Sequence, residues 1–408
     1  MITLIKKILN ALGPGVIIAA VVLGPGSITV SSQIGAAYGY KFLWGLVFAC
    51  VFMITYTSMS ARYGATNEKS VLQTISLKYG KWFSLIIGTS AFLSSMSFQF
   101  GNNIGIGIGM GGITGIDERI WPLIFTPLAL WLIFGAKNLY RILEKLMMGL
   151  VLIMIISFIV NLIMTKPEIV PLVKGFIPTA VEKQQLGILA ALLGTSFSLA
   201  GALYHSYLAQ DKGWKVANLK SSLRDTYTGI IMLTTITAVI IITSAASLHP
   251  AGIKVSSAAD MAFQLESLYG SYAKVIFSIG LCAAAFSSLM VNAIIGGGLM
   301  SDGLGLGRSM NDRVPRIFTA IILVTGMMVA LFLRGNVIYA LIMAQASSIL
   351  AVPLIGLGLL LVANNKEIMG AYRNNWLQNI FALAGLLSVS LMVYFMYRSL
   401  INYLGIIT

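Results

Sequence analysis

The sequence predicts an all-α integral membrane protein with 11 transmembrane helices, arranged as a 5+5 inverted repeat plus one helix, with spans one and six broken. Three observations carry this. The 408-residue chain is 58% hydrophobic and only 10% charged, with a mean hydropathy of +0.89, whereas soluble domains carry roughly 25% charged residues. Apolar runs long enough to cross a bilayer, about 18 residues or more, recur from end to end and leave no room for a sizeable soluble domain. Two of these runs, the first and the sixth, carry residues that disfavour helix at mid-membrane.

The first span, 11–38, follows the start "MITLIKKILNALGPG". No small-residue cleavage pattern closes a short apolar core there, so the segment reads as a retained span and not as a secretory signal. Halfway along it stands "LGPGSITV", 23–30, where a proline costs about 3 kcal/mol in a helix interior. Further spans fall at 42–61, 82–110, 120–136 and 142–164, which completes a first repeat of about 11–164. The sixth span, 187–210, carries "GTSFSLAGALYHS", 194–206, in which Gly201 and a cluster of small hydroxyl residues interrupt the apolar pattern. Spans at 227–248, 271–298, 315–334 and 336–363 complete a second repeat of about 187–363. An extra helix at about 376–402 ends the chain, all within one membrane domain, 1–408.

Spans one and six each open a five-span block. Interrupted helices at matching positions of two halves point to a transporter built from inverted repeats. Broken backbone at membrane depth is tolerated only where protein or a water-filled cavity receives its N–H and C=O groups. The breaks therefore imply a solute site between them.

The net charge of +14 lies on no soluble basic domain, which argues against nucleic acid. With the N-terminus cytoplasmic and the C-terminus external, the 27 Lys and Arg residues favour the cytoplasmic side by roughly two to one, as the positive-inside rule requires. A multi-pass protein of the cell (inner) membrane is expected. All 13 acidic residues fall in loops or at span ends. Cys50 and Cys282 lie inside apolar runs and read as buried thiols.

Several stretches resemble the NRAMP family of divalent-metal transporters. These are "GPGVIIAAVVLGPGSITVSSQIGAAYGYKFLW" (13–44), "LYHSYLAQ" (203–210), "RVPRIFTAII" (313–322) and "IMAQASSILAVPLIGLGLLLVANNKEIMG" (342–370). The likeness keeps span order through nearly the whole chain and implies a LeuT-like bundle working by alternating access. The departures fall on the chemistry. The metal-binding Asp of the family corresponds to Gly24 and its Asn to Ser27. Its Met-Pro-His-Asn break aligns with Ser198-Leu199-Ala200-Gly201. The downstream histidine survives as His205, and the third-span acid has no evident match in "SFQFGNNIGIGIGMGG", 97–112.

Transition metals favour nitrogen or sulfur donors, and a dehydrated divalent ion in a low-dielectric site needs charge compensation. Gly24, Ser27 and Ser198 supply neutral oxygens only, so no metal ligand is assigned. Half-helix N-termini at Gly26 and Gly201 present N–H groups suited to an anion. The reading is therefore a transporter whose site has been remodelled for a small organic or anionic solute. Its substrate-binding candidates are Gly24, Gly26, Ser27, Thr195, Ser198, Gly201 and Gln345, the last standing where the family places a glutamine.

Each hydroxyl has an alternative role, bonding a nearby backbone carbonyl. In span three, Gly101, Gly105 and Gly109 form a close-packing ladder, and the amides of Gln99, Asn102 and Asn103 ahead of it are further candidates for lining the cavity. His205 is the candidate for a coupling proton, and Ser287 with Ser288 for coupling Na+, by likeness to sodium-driven LeuT-like transporters. Two alternatives stay open. One is a divalent metal ion (Mg or Mn) transporter using a carbonyl-and-water site; the other is a transport-inactive receptor or sensor on the same fold. No nucleophile–base constellation points to an enzyme, and no cofactor is implied.

Overall fold

In the computed structural model, residues 23–135, 137–332 and 337–403 are described, with side chains omitted for 137–145 and 395–403. The inner half of span one, 11–22, lies outside them. Among the described residues nine helices are long and apolar enough to cross a membrane, and Trp121–Gly135 is a shorter apolar one. With Pro25–Tyr38, the outer half of span one, these account for all eleven expected spans. Among the described residues the architecture is all-helical.

Span two is Leu43–Thr66, span three Lys81–Thr114, span four Trp121–Gly135 and span five Lys137–Thr165. Span six consists of Leu186–Ser196 and Leu199–Asp211, and span seven is Leu219–Ser247. Spans eight and nine are Ala273–Gly303 and Arg313–Phe332. Span ten is Val337–Ser348 followed by Val352–Asn364, and span eleven is Trp376–Tyr403.

Span one enters its outer half exactly where proline is tolerated. Gly24 precedes the helix in an extended conformation, φ −95° and ψ −176°, and Pro25 takes the first turn, where its missing N–H has no intrahelical partner to lose. The break in span six falls at Phe197–Ser198. Leu199–Gly201 already forms the first turn of the inner half, so Gly201 lies inside a helix and not in the unwound segment. Phe197 is buried and packs against Phe52 and Tyr56 of span two at ring distances of 6.0 and 5.7 Å. Span ten tightens into a 3-10 turn at Ile349–Ala351 ahead of Pro353, with helical backbone on both sides.

The glycine ladder of span three is a groove shared by three other spans. A methyl group at Gly101 would overlap Gln345 of span ten. At Gly105 it would overlap Pro25 of span one, and at Gly109 it would lie 2.8 Å from the Ser278 carbonyl of span eight. Bare backbone at these positions lets the interrupted span lie directly on span three. Spans four, five, nine and eleven expose Trp131, Ile163, Phe332 and Leu387 on their outer faces.

A short helix, Val71–Tyr79, closes the connection between spans two and three, held by a capping box between Ser70 and Gln73. Ser70 Oγ also donates to Asp302 Oδ2 at 2.6 Å, and Tyr207 Oη donates to the same oxygen at 2.5 Å. Asp302 is in the last turn of span eight and is buried. This carboxylate ties the inner half of span six to the scaffold.

Candidate functional site

The two breaks meet span ten and span eight at the centre of the bundle. Gly24, Gly26, Ser27, Thr195, Ser198, Gly201 and Gln345 are all buried. Gln345 brings four spans together. A methyl at Gly26 or Gly101 would overlap its carboxamide, and one at Gly194 would overlap its backbone carbonyl. Gly26 therefore gives way to a side chain of the protein itself. The close approach that glycine permits there is to Gln345.

Gly24 has different neighbours. A methyl group on it would lie 2.9 Å from Ser288 Oγ of span eight and 3.4 Å from Asn102 Oδ1 of span three. Two neutral oxygens from two scaffold spans thus converge on the backbone break of span one. Behind them Asn292 Nδ2 donates to Ser288 Oγ at 2.9 Å. Ser287 is buried beside this pair in the chain. The sequence offers Asn102, with Gln99 and Asn103, as an amide that could line the cavity; its spacing from the ladder does not tell which way its amide faces.

Two candidate hydroxyls of span six, those of Ser198 and Thr195, serve the backbone, whereas Ser196 Oγ is buried with no partner among the described residues. Ser198 Oγ caps the inner half-helix by accepting from the Gly201 N–H at 3.4 Å, and Ala202 N–H donates to the Ser198 carbonyl at 2.9 Å. Thr195 Oγ1 donates to the Leu192 carbonyl at 3.0 Å. The Gly201 N–H proposed as an anion donor is thus already engaged. Pro25 further removes one N–H from the start of the outer half of span one. The organic or anionic solute expected from the sequence is accordingly not supported.

His205 is fully buried, with Nε2 3.0 Å from Thr226 Oγ1 of span seven; its Nδ1 has no partner among the described residues. Near the end of Pro25–Tyr38, Gln33, Ala36, His249 and Lys254 line a cleft of about 430 Å³. There His249 Nδ1 bonds the Ala36 carbonyl at 2.8 Å, near the end of span one. Among the described residues no group of three or more His, Cys, Asp or Glu side chains is placed to hold a metal.

The profile described as Natural resistance-associated macrophage protein-like matches residues 15–398. The chain belongs to the NRAMP family. Among its relatives is the divalent metal cation transporter MntH of Pectobacterium carotovorum, 27% identical over 402 residues, covering 95% of this chain and 94% of that protein. The MntH of Bacillus subtilis is 25% identical over 398 residues, covering 95% and 92%. A mutant of the Eremococcus coleocola manganese transporter superposes with a TM-score of 0.79 at 18% identity, over 98% of this chain and 88% of that one. Mhp1, a nucleobase-cation-symport-1 transporter, matches more distantly, with a TM-score of 0.57 at 14% identity over 96% and 93%. This NRAMP chain thus keeps the family's span order and surrounds the span-one break with neutral oxygens.

Proposed function

We propose that the protein carries a divalent metal ion, Mg2+ or Mn2+, across the cell membrane by alternating access, holding it largely hydrated at the span-one break. The observation that carries this is the convergence of Ser288 Oγ and Asn102 Oδ1 on Gly24. Neutral oxygens with retained waters suit a hard cation that dehydrates reluctantly. They do not suit a soft ion that selects sulfur. The names of the relatives, divalent metal cation transporters, support the same choice. Without a carboxylate the affinity is weak, and selectivity rests on site size and hydration.

The N-inside orientation follows from the Lys and Arg bias. His205 remains the proposed proton carrier, and Ser287 with Ser288 the proposed Na+ contact. Proteoliposomes should take up Mn2+ and Mg2+ with saturation at millimolar concentration. Runs with and without Na+, and with a pH gradient, assign the coupling. The reading fails if neither ion crosses faster than in protein-free vesicles while a carboxylate-bearing solute does. Specific binding without flux of any solute would favour a receptor.

A further inference from the structure

The three amides of span three are not equivalent. Asn103 spends its amide on the scaffold, with Nδ2 donating to the Gln99 carbonyl at 2.9 Å and Oδ1 accepting from Thr126 Oγ1 of span four at 3.0 Å. Gln99 Nε2 donates to the Leu289 carbonyl of span eight at 2.6 Å. A backbone carbonyl only accepts, so the Gln99 NH2 must face it and Gln99 Oε1 must face away. Asn102 Nδ2 donates to that Oε1 at 2.8 Å. This in turn directs Asn102 Oδ1 to the far side, 3.4 Å from the space a methyl on Gly24 would fill. All three amides are buried, and span nine presses on the relay, since a methyl at Gly326 would lie 2.7 Å from Gln99 Cβ.

We propose that Gln99 is a positioning residue, reading the Leu289 carbonyl to fix Asn102 with its oxygen at the span-one break, and that Asn102 is a ligand for a hard cation there. A flipped Asn102 would present NH2 and repel the ion. The relay therefore sets the sign of the site without placing a charge in the membrane. This inference rests on the divalent-ion reading above.

The test is calorimetric titration of the purified full-length protein with Mn2+. Gln99→Leu frees the Asn102 amide to rotate and should weaken binding about tenfold, the effect of one misdirected polar ligand. Asn102→Asp offers an oxygen whichever way it turns, so it needs no orienting partner. In that background Gln99 Oε1 faces a carboxylate oxygen that cannot donate to it, so Gln99→Leu should leave affinity unchanged or raise it. A structural role for Gln99 predicts the same loss in both backgrounds, and that result would overturn the proposal. So would wild-type affinity in Gln99→Leu alone. Gln99→Met replaces Gln99→Leu where the latter fails to assemble, with the same expectation. Wild-type protein that binds neither Mn2+ nor Mg2+ overturns the divalent-ion reading itself, and this inference with it.

Discussion

Pro25 of span one lies on Gly105 of span three so closely that a methyl group at Gly105 would overlap its ring, with Ala285 Cβ of span eight 3.2 Å away. The break in span one is thus seated in a notch made by the ladder, between the two scaffold helices that carry Asn102 and Ser288. A flexible break needs a rigid seat if its backbone is to keep one geometry toward an ion.

Gly105→Ala should therefore unseat the break. Overpacking of a tight contact costs about 1–3 kcal/mol, and Mn2+ affinity should fall along with thermal stability. Gly149→Ala in span five is the control, because nothing among the described residues lies within 4 Å of the added methyl. It should leave both properties unchanged or raise stability slightly. Equal behaviour of the two variants would show that the notch does not hold the break.

Asp302 supports a second expectation. One of its oxygens accepts from both Ser70 and Tyr207, and Oδ1 is buried without a partner among the described residues. Asp302→Ala strands two buried hydroxyls, each costing about 1–3 kcal/mol. Asp302→Asn keeps an acceptor oxygen and should be milder. Unfolding temperatures in the order wild type, Asn, Ala check this, and an Ala variant as stable as wild type would refute the tie.

Ser198 divides a structural role from a binding role. As the cap of the inner half of span six its loss in Ser198→Ala should cost about 1 kcal/mol. Mn2+ affinity should be almost unchanged, because Ser198 Oγ faces the Gly201 N–H. A large fall in affinity at unaltered stability would return Ser198 to the ligand set.

The spans and the extended residue Gly24 ahead of Pro25 were legible because apolar length and Gly-Pro-Gly act locally. The break in span six was misplaced by a few residues. Gly201 drew attention, yet it is Ser198, by capping, that starts the new helix. The helix after span two had a readable signal in Ser70 and Gln73, a capping box. The 3-10 turn in span ten had only Pro353. Burial of Asp302 could not be read, since its partners lie 232 and 95 residues away in the chain. Nor could the direction of Asn102 be read, because it is fixed by a carbonyl on another span. Resemblance supplied Gly24 as a position, and only packing revealed what surrounds it.

The sharpest prediction concerns Gly24. Its backbone is extended, φ −95° and ψ −176°, a conformation open to any residue, so glycine is there for space alone. The space is limited by Ser288, whose Oγ and Cβ would lie 2.9 and 3.3 Å from an added Cβ. Gly24→Asp should therefore be poorly accommodated by itself, whereas Gly24→Asp with Ser288→Ala has room. In the double variant a carboxylate replaces a hydroxyl beside Asn102 Oδ1. Divalent hard cations are commonly anchored by at least one carboxylate. Mn2+ should bind about tenfold or more tightly than to wild type, and Mg2+ should gain as well. Cd2+ should gain no more than Mn2+, since no sulfur has been added. Calorimetry with the three ions reads all of this. If the double variant folds and binds Mn2+ as weakly as wild type, the ion does not sit at the span-one break.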